Sequence, residues 1–190
     1  MSEVLISRRV AIAGAGALAL AGCATGQSIE TGAGVDANVD NAVALLYQRM
    51  PYARQIADRA AGMLVMPSIV KGGFVVGGAY GEGALRLAGD GFRQTADYYS
   101  FAAASIGYQA GLQKTSHALF FMTPGSLNRF RNSKNFEVGA DAEVTVLDTG
   151  VKADLNTTVA QQPIIALVFS QAGLMAGASL EGAKYTKIQI

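Results

Sequence analysis

Apolar residues recur at helical spacing near the front of the chain, at Val39, Val43, Leu46 and Met50, so a helix is predicted to begin near Asp36. Asp36 or Asp40 can cap or favour its N-terminal end. Pro51 disfavours helical geometry at Met50, while its own fixed φ suits the first turn of a second helix carrying Ile56 and Ala60. After Gly62 the pattern changes to short apolar runs divided by glycine and enriched in β-branched and aromatic residues. Strands are expected over 63–66, 74–80, 84–88, 98–112, 118–123, 142–147, 164–170, 174–179 and 184–190. Most of the links between them are too short for a parallel crossover, which predicts antiparallel pairing. Pro124-Gly125-Ser126 followed by Leu127 and Phe130 predicts a short capped helix among the strands. The expected fold is α+β: N-terminal helices packed on a glycine-rich, mostly antiparallel curved sheet or partial barrel.

The first 23 residues have a different order of polarity. Arg8 and Arg9 precede an apolar stretch from Val10 to Leu20, and Ala21 and Gly22 lead into the single cysteine, Cys23. The apolar run is shorter than the roughly 20 residues that span a bilayer, so a cleaved leader is expected over residues 1–22. Leu20-Ala21-Gly22-Cys23 resembles the lipobox of bacterial lipoproteins, which implies acylation of Cys23 and cleavage before it. Ser7-Arg8-Arg9 also resembles part of a twin-arginine signal, although Val10 and Ala11 fit that pattern poorly, and the export route stays open. Residues 23–38 then read as the acylated cysteine and a polar, glycine-containing tether, and residues 39–190 as the folded domain. A coil of that tether's length spans about 20 Å, enough to hold a domain just off a membrane.

Removing the leader leaves 13 basic and 13 acidic residues, so no global field points to nucleic acid or to a strongly charged partner. Acylated Cys23 leaves no thiol for a disulfide, and stability must come from an apolar core. His117 is the only histidine and no Gly-x-Ser-x-Gly elbow occurs, so neither a hydrolase triad nor a zinc site can be assembled from familiar parts. No catalytic residue, metal or cofactor is expected. Asp141 and Glu143, two apart on an expected strand, admit a carboxylate pair or weak cation site, or else a solvated strand face or structural ion pair. Glu82 and Glu181, each between glycines, suit turn or capping roles as well as ligand contact.

Two segments are candidates for binding. Residues 72–83 hold six glycines in twelve positions but lack the lysine and the strand-to-helix setting of a phosphate loop. Gly72, Gly73, Gly77 and Gly78 therefore read either as sites of bending and close packing or as the wall of a pocket for an acyl chain. Between Arg129 and Phe136, the cations Arg129, Arg131 and Lys134 alternate with Phe130 and Phe136. That composition suits contact with anionic head groups, and equally a solvated loop with two core-facing phenylalanines.

The stretches GMLVMPSIVKGGFVVGGAYGEGAL (62–85), YYSFAAASIGYQAGLQ (98–113), VGADAEVTV (138–146) and AGLMAGASLEGA (172–183) resemble, in that order, the SYLF domain family. Eukaryotic members of that family bind phosphoinositides and, in yeast, bundle actin; bacterial members are exported lipoproteins. The resemblance implies binding of membrane lipid, by anionic phospholipid head groups or acyl chains, in a non-enzymatic protein. Actin is not an expected partner, because the lipobox directs the chain to a bacterial envelope. Ala24, rather than aspartate, follows the cysteine and favours the outer membrane, facing the periplasm. The alternative is a structural or adaptor lipoprotein whose sheet contacts another envelope protein.

Overall fold

The structure, a computed structural model, describes residues 31–107, 113–147, 162–170, 173–174 and 179–190. The leader and Cys23 lie outside these residues. Helix α1 spans Gly32–Arg49 and a short helix α2 spans Ala53–Ala57. The helix starts inside the stretch expected to be tether. Thr31, in extended geometry, caps it by accepting from Gly34 N at 3.4 Å, and Val35 extends the buried stripe of Val39, Ala42 and Leu46. Asp36 and Asp40 do not cap. Asp36 accepts from Thr95 Oγ1 at 2.6 Å and from the Tyr98 hydroxyl at 3.0 Å, and Asp40 pairs with Arg86 at 2.6 Å. The helix is thereby pinned to the sheet by its acids as well as by its apolar stripe.

The strands are β1 (Gly62–Leu87), β2 (Thr95–Gly107), β3 (Gln113–Phe121), β4 (Asn135–Glu137), β5 (Thr145–Leu147), β6 (Ile164–Ser170), β7 (Gly173–Leu174) and β8 (Lys184–Ile188), with helix α3 (Pro124–Asn132) between β3 and β4. They form one curled, half-barrel sheet in the order β4-β8-β2-β1-β3-β6-β5, with β7 beside β6. The α+β architecture with a curved, mostly antiparallel sheet is as the sequence implies. The one parallel pair among the described strands is β5–β6, whose connection over residues 148–163 is long enough for a crossover.

Three of the expected strands are parts of β1, a 26-residue extended run that doubles back on itself. Ala88 N donates to Ala61 O at 3.1 Å, and a Cβ placed on Gly81 would lie 2.6 Å from Ser68 O. One on Gly83 would collide with Val65 O. The first arm pairs with β3 from Gly62 to Lys71, and the second pairs with β2 from Val75 to Arg86. The apex therefore falls within the glycine-rich stretch 72–78. Pro67, which has no N–H for the ladder, sits in the register shift between Met66 and Ile69.

Both faces of the sheet are covered, which explains why the central strands read as continuous apolar runs rather than alternating ones. Met63, Val65, Ala84, Ala118 and Phe120 face α1 and α2. Leu64, Met66, Leu85, Leu119 and Phe121 face a second cluster closed by α3, β4 and β8, with Phe130, Phe136 and Tyr185 at its centre. No helix among the described residues is long and apolar enough to cross a membrane.

Candidate functional site

Helix α3 begins as its sequence suggests. Thr123 accepts from Ser126 N at 3.1 Å, Pro124 occupies the first turn, and Leu127 and Phe130 point inward. Phe130 is fully buried, its ring centroid 4.6 Å from Tyr99, 4.7 Å from Phe121 and 5.0 Å from Phe136. Phe136, on β4, is also fully buried. Phe130 is thus a core residue and presents no ring to a membrane interface; the basic segment takes the form with core-facing phenylalanines.

Its cations are on the surface but largely compensated. Arg131 Nε donates to Asp97 Oδ2 at 2.9 Å, and Lys187 pairs with the other oxygen of Asp97 at 2.5 Å. Arg129 donates to the backbone oxygen of Asp141 at 3.2 Å, and Lys184 pairs with Glu137 at 3.1 Å. Lys134 is exposed and has no ion pair among the described residues. Asp97 was not visible as a functional partner from its sequence neighbourhood, because it approaches α3 only when β2 curls beneath the helix.

Asp141 and Glu143 do not form a pair on one strand face. Asp141 accepts from Glu137 N at 2.7 Å within a turn, and β5 starts only at Thr145. Glu143 instead joins Glu181, Val138, Val144, Val146 and Leu180 around a cleft of about 400 Å³. The carboxylates at this cleft disfavour an anionic head group there, and none of Gly72, Gly73, Gly77 or Gly78 lines it. Those four glycines lie along the apex of β1, and a Cβ on Gly78 would meet only Ala103 O, at 3.8 Å. At Gly78 the backbone approach is thus not close, whereas it is at Gly81 and Gly83. Glu82 accepts from the Tyr80 hydroxyl at 2.7 Å.

His117 is buried beneath α3 and β8, with its Nε2 2.8 Å from the Tyr185 hydroxyl and its ring edge-on to Phe101 at 5.0 Å. Burial pushes its pKa down to about 3, so it stays neutral, and burial drives the Tyr185 phenol well above its ordinary value. Two neutral groups that satisfy each other inside an aromatic cluster form a structural pair. Among the described residues no three metal-ligating side chains gather.

Residues 102–189, from the middle of β2 through β8, match the family model Ysc84, described as Las17-binding protein actin regulator. Over these residues the chain is similar to the SYLF family. No curated protein matches it. The SYLF match takes in the sheet's β3–β6 half, helix α3 and the basic segment, whereas α1, α2 and the β1 ribbon precede it.

Proposed function

We propose that this SYLF domain is a non-enzymatic lipid-binding module that is held at a bacterial envelope membrane by an acylated Cys23 and recognises anionic phospholipid. The family match carries the reading, since lipid binding is the activity that the SYLF resemblance implies. The order of charge, apolar run and cysteine in residues 8–23 supports the anchor, and Ala24 after the cysteine supports an outer-membrane, periplasm-facing position. Arg129 and Lys134, exposed at the end of α3 and just after it, supply candidate head-group contacts, with Arg131 shared with Asp97. A second reading, an adaptor for an envelope protein, draws on the protein-binding role in the family description.

The test uses the full chain carrying Cys23→Ser, which cannot be acylated at that residue. Cosedimentation with phosphatidylglycerol vesicles should exceed that with phosphatidylcholine vesicles and should fall as salt is raised, because exposed charges are screened. Equal or absent binding to both at low salt sinks the lipid-binding reading in favour of the adaptor. For the anchor, mass spectrometry of the N-terminus of the wild-type protein should find acylated Cys23, and an intact leader with a free thiol would refute it.

A further inference from the structure

The far end of the β1 ribbon differs from the rest of the surface. Val70 and Tyr80, 45% and 37% exposed, are the exposed large hydrophobic residues among those described, and both lie there. They share a face. Ile69 belongs to the cluster under α3, so its neighbour Val70 points to the opposite, helix-covered side of the sheet. Tyr80 bonds to Glu82, and two further positions along Ala84 packs under α1, which places Tyr80 on that same side. The helices shield this face at Met63, Val65 and Ala84 and leave it open at Val70 and Tyr80.

Cations stand directly beside the exposed pair. Lys114 of β3 is opposite Val70 and therefore on its face, while Lys71, opposite Gln113, points to the other side. Neither has an ion pair among the described residues. No acidic residue occurs from Lys71 to Gly81 or from Phe101 to Lys114. Between Lys71 and Tyr80 the chain runs through Gly-Gly-Phe-Val-Val-Gly-Gly, whose backbone carries the ribbon to its apex opposite Gly107 and Ile106 of β2. An apolar projection with unpaired lysines on both faces, its nearest acid being Glu82 held by the Tyr80 hydroxyl, complements an anionic bilayer: the projection enters the head-group and acyl boundary, and the ammonium groups meet phosphates.

We infer that the far end of β1, with Val70 and Tyr80 at its exposed face and Lys71 and Lys114 beside them, is the surface by which this domain docks onto an anionic lipid membrane. The inference rests on the lipid-binding reading above and assigns it a site away from the basic segment at α3.

The chain contains no tryptophan, so Tyr80→Trp, in the full chain with Cys23→Ser, introduces a single reporter. Its emission should shift to the blue on adding phosphatidylglycerol vesicles and should be quenched by bromine-labelled acyl chains. Emission unchanged while the protein cosediments overturns the site. Val70→Asp with Tyr80→Asp should lower the apparent vesicle affinity about tenfold or more, with circular dichroism and thermal melting reporting an intact fold. Lys71→Ala with Lys114→Ala should weaken binding at low salt and flatten its salt dependence. If the protein binds and both variant pairs bind like wild type, the site is wrong while the lipid reading stands. Absence of wild-type binding removes both. A change in the sedimentation of the free protein, without a change in vesicle binding, would make this end a contact between copies and refute the membrane assignment.

Discussion

The basic segment at residues 129–136 and the far end of β1 both bring cationic and aromatic residues together, and the fold treats them in opposite ways. At the first, Phe130 and Phe136 are drawn fully inside, and the neighbouring cations find Asp97, Glu137 and the Asp141 carbonyl. At the second, Val70 and Tyr80 stay exposed, and Lys71 and Lys114 find no acid among the described residues. Similar composition thus gives a closure in one place and an open surface in the other. What separates them is the supply of partners: the first lies where β2, β4 and β8 curl against α3, whereas the second projects past the helices that cover its face.

The comparison breaks most visibly in stability. Phe130→Ala removes a ring that touches Tyr99, Phe121 and Phe136 and should cost about 3–5 kcal/mol in urea unfolding. Val70→Asp, at a position 45% exposed, should cost under about 1 kcal/mol. Comparable losses would mean that the ribbon end is buried in solution. Within β1, Gly83→Val drives a side chain into Val65 O and the Met66 side chain and should destabilise the fold by about 3 kcal/mol. Gly78→Val, which finds open space, should leave the melting temperature near wild type. A reversal of that order would refute the doubled ribbon.

Much of this architecture is legible in the sequence. The helical stripe Val39–Leu46, the capped turn at Pro124 and the run Ile164–Ser170 all stand where periodicity and turn chemistry put them, because each is decided by neighbours in the chain. The β1 ribbon is not legible, since its glycines look like breaks between strands while Gly81 and Gly83 serve a backbone approach from the opposite arm. The fate of the cations is illegible for the same reason. Asp97 lies 34 positions from Arg131, and only the curl of the sheet joins them. The open end did leave a trace in the sequence, a run without acids between Lys71 and Gly81, although glycine content dominated its appearance.

The closed region also carries a buried titratable group, so acid should weaken it selectively. His117 has a folded pKa of about 3 against 6.5 in an unfolded chain. Below pH 6.5 the unfolded state takes up a proton that the folded state refuses, so the stability fully present above that value is lost as pH falls towards 3. The expected loss is about 1.4 kcal/mol per pH unit within that window. His117→Gln keeps an amide beside Tyr185 and removes this part of the dependence, leaving the carboxylate part common to both proteins. Urea midpoints for the two proteins between pH 4 and 7 would measure it, and parallel curves would show that the imidazole is accessible to protons in the fold.

The smallest effect tests whether compensation limits the share of the basic segment in membrane contact. Asp97 holds Arg131 and Lys187 on its two oxygens, so Asp97→Asn releases both cations and adds one net positive charge on that side. With a surface cation worth about 1 kcal/mol near an anionic leaflet, affinity for phosphatidylglycerol vesicles should rise about fivefold at low salt. The gain should shrink when Arg131→Ala is added, because one of the released charges is then missing. It should persist, scaled by the same factor, in the Val70→Asp and Tyr80→Asp background, since the two regions share no partners among the described residues and independent contributions add. Unchanged affinity in Asp97→Asn would mean that geometry rather than charge pairing limits what Arg131 and Lys187 contribute at lipid, and the contrast between the two regions would then rest on exposure of their apolar residues alone.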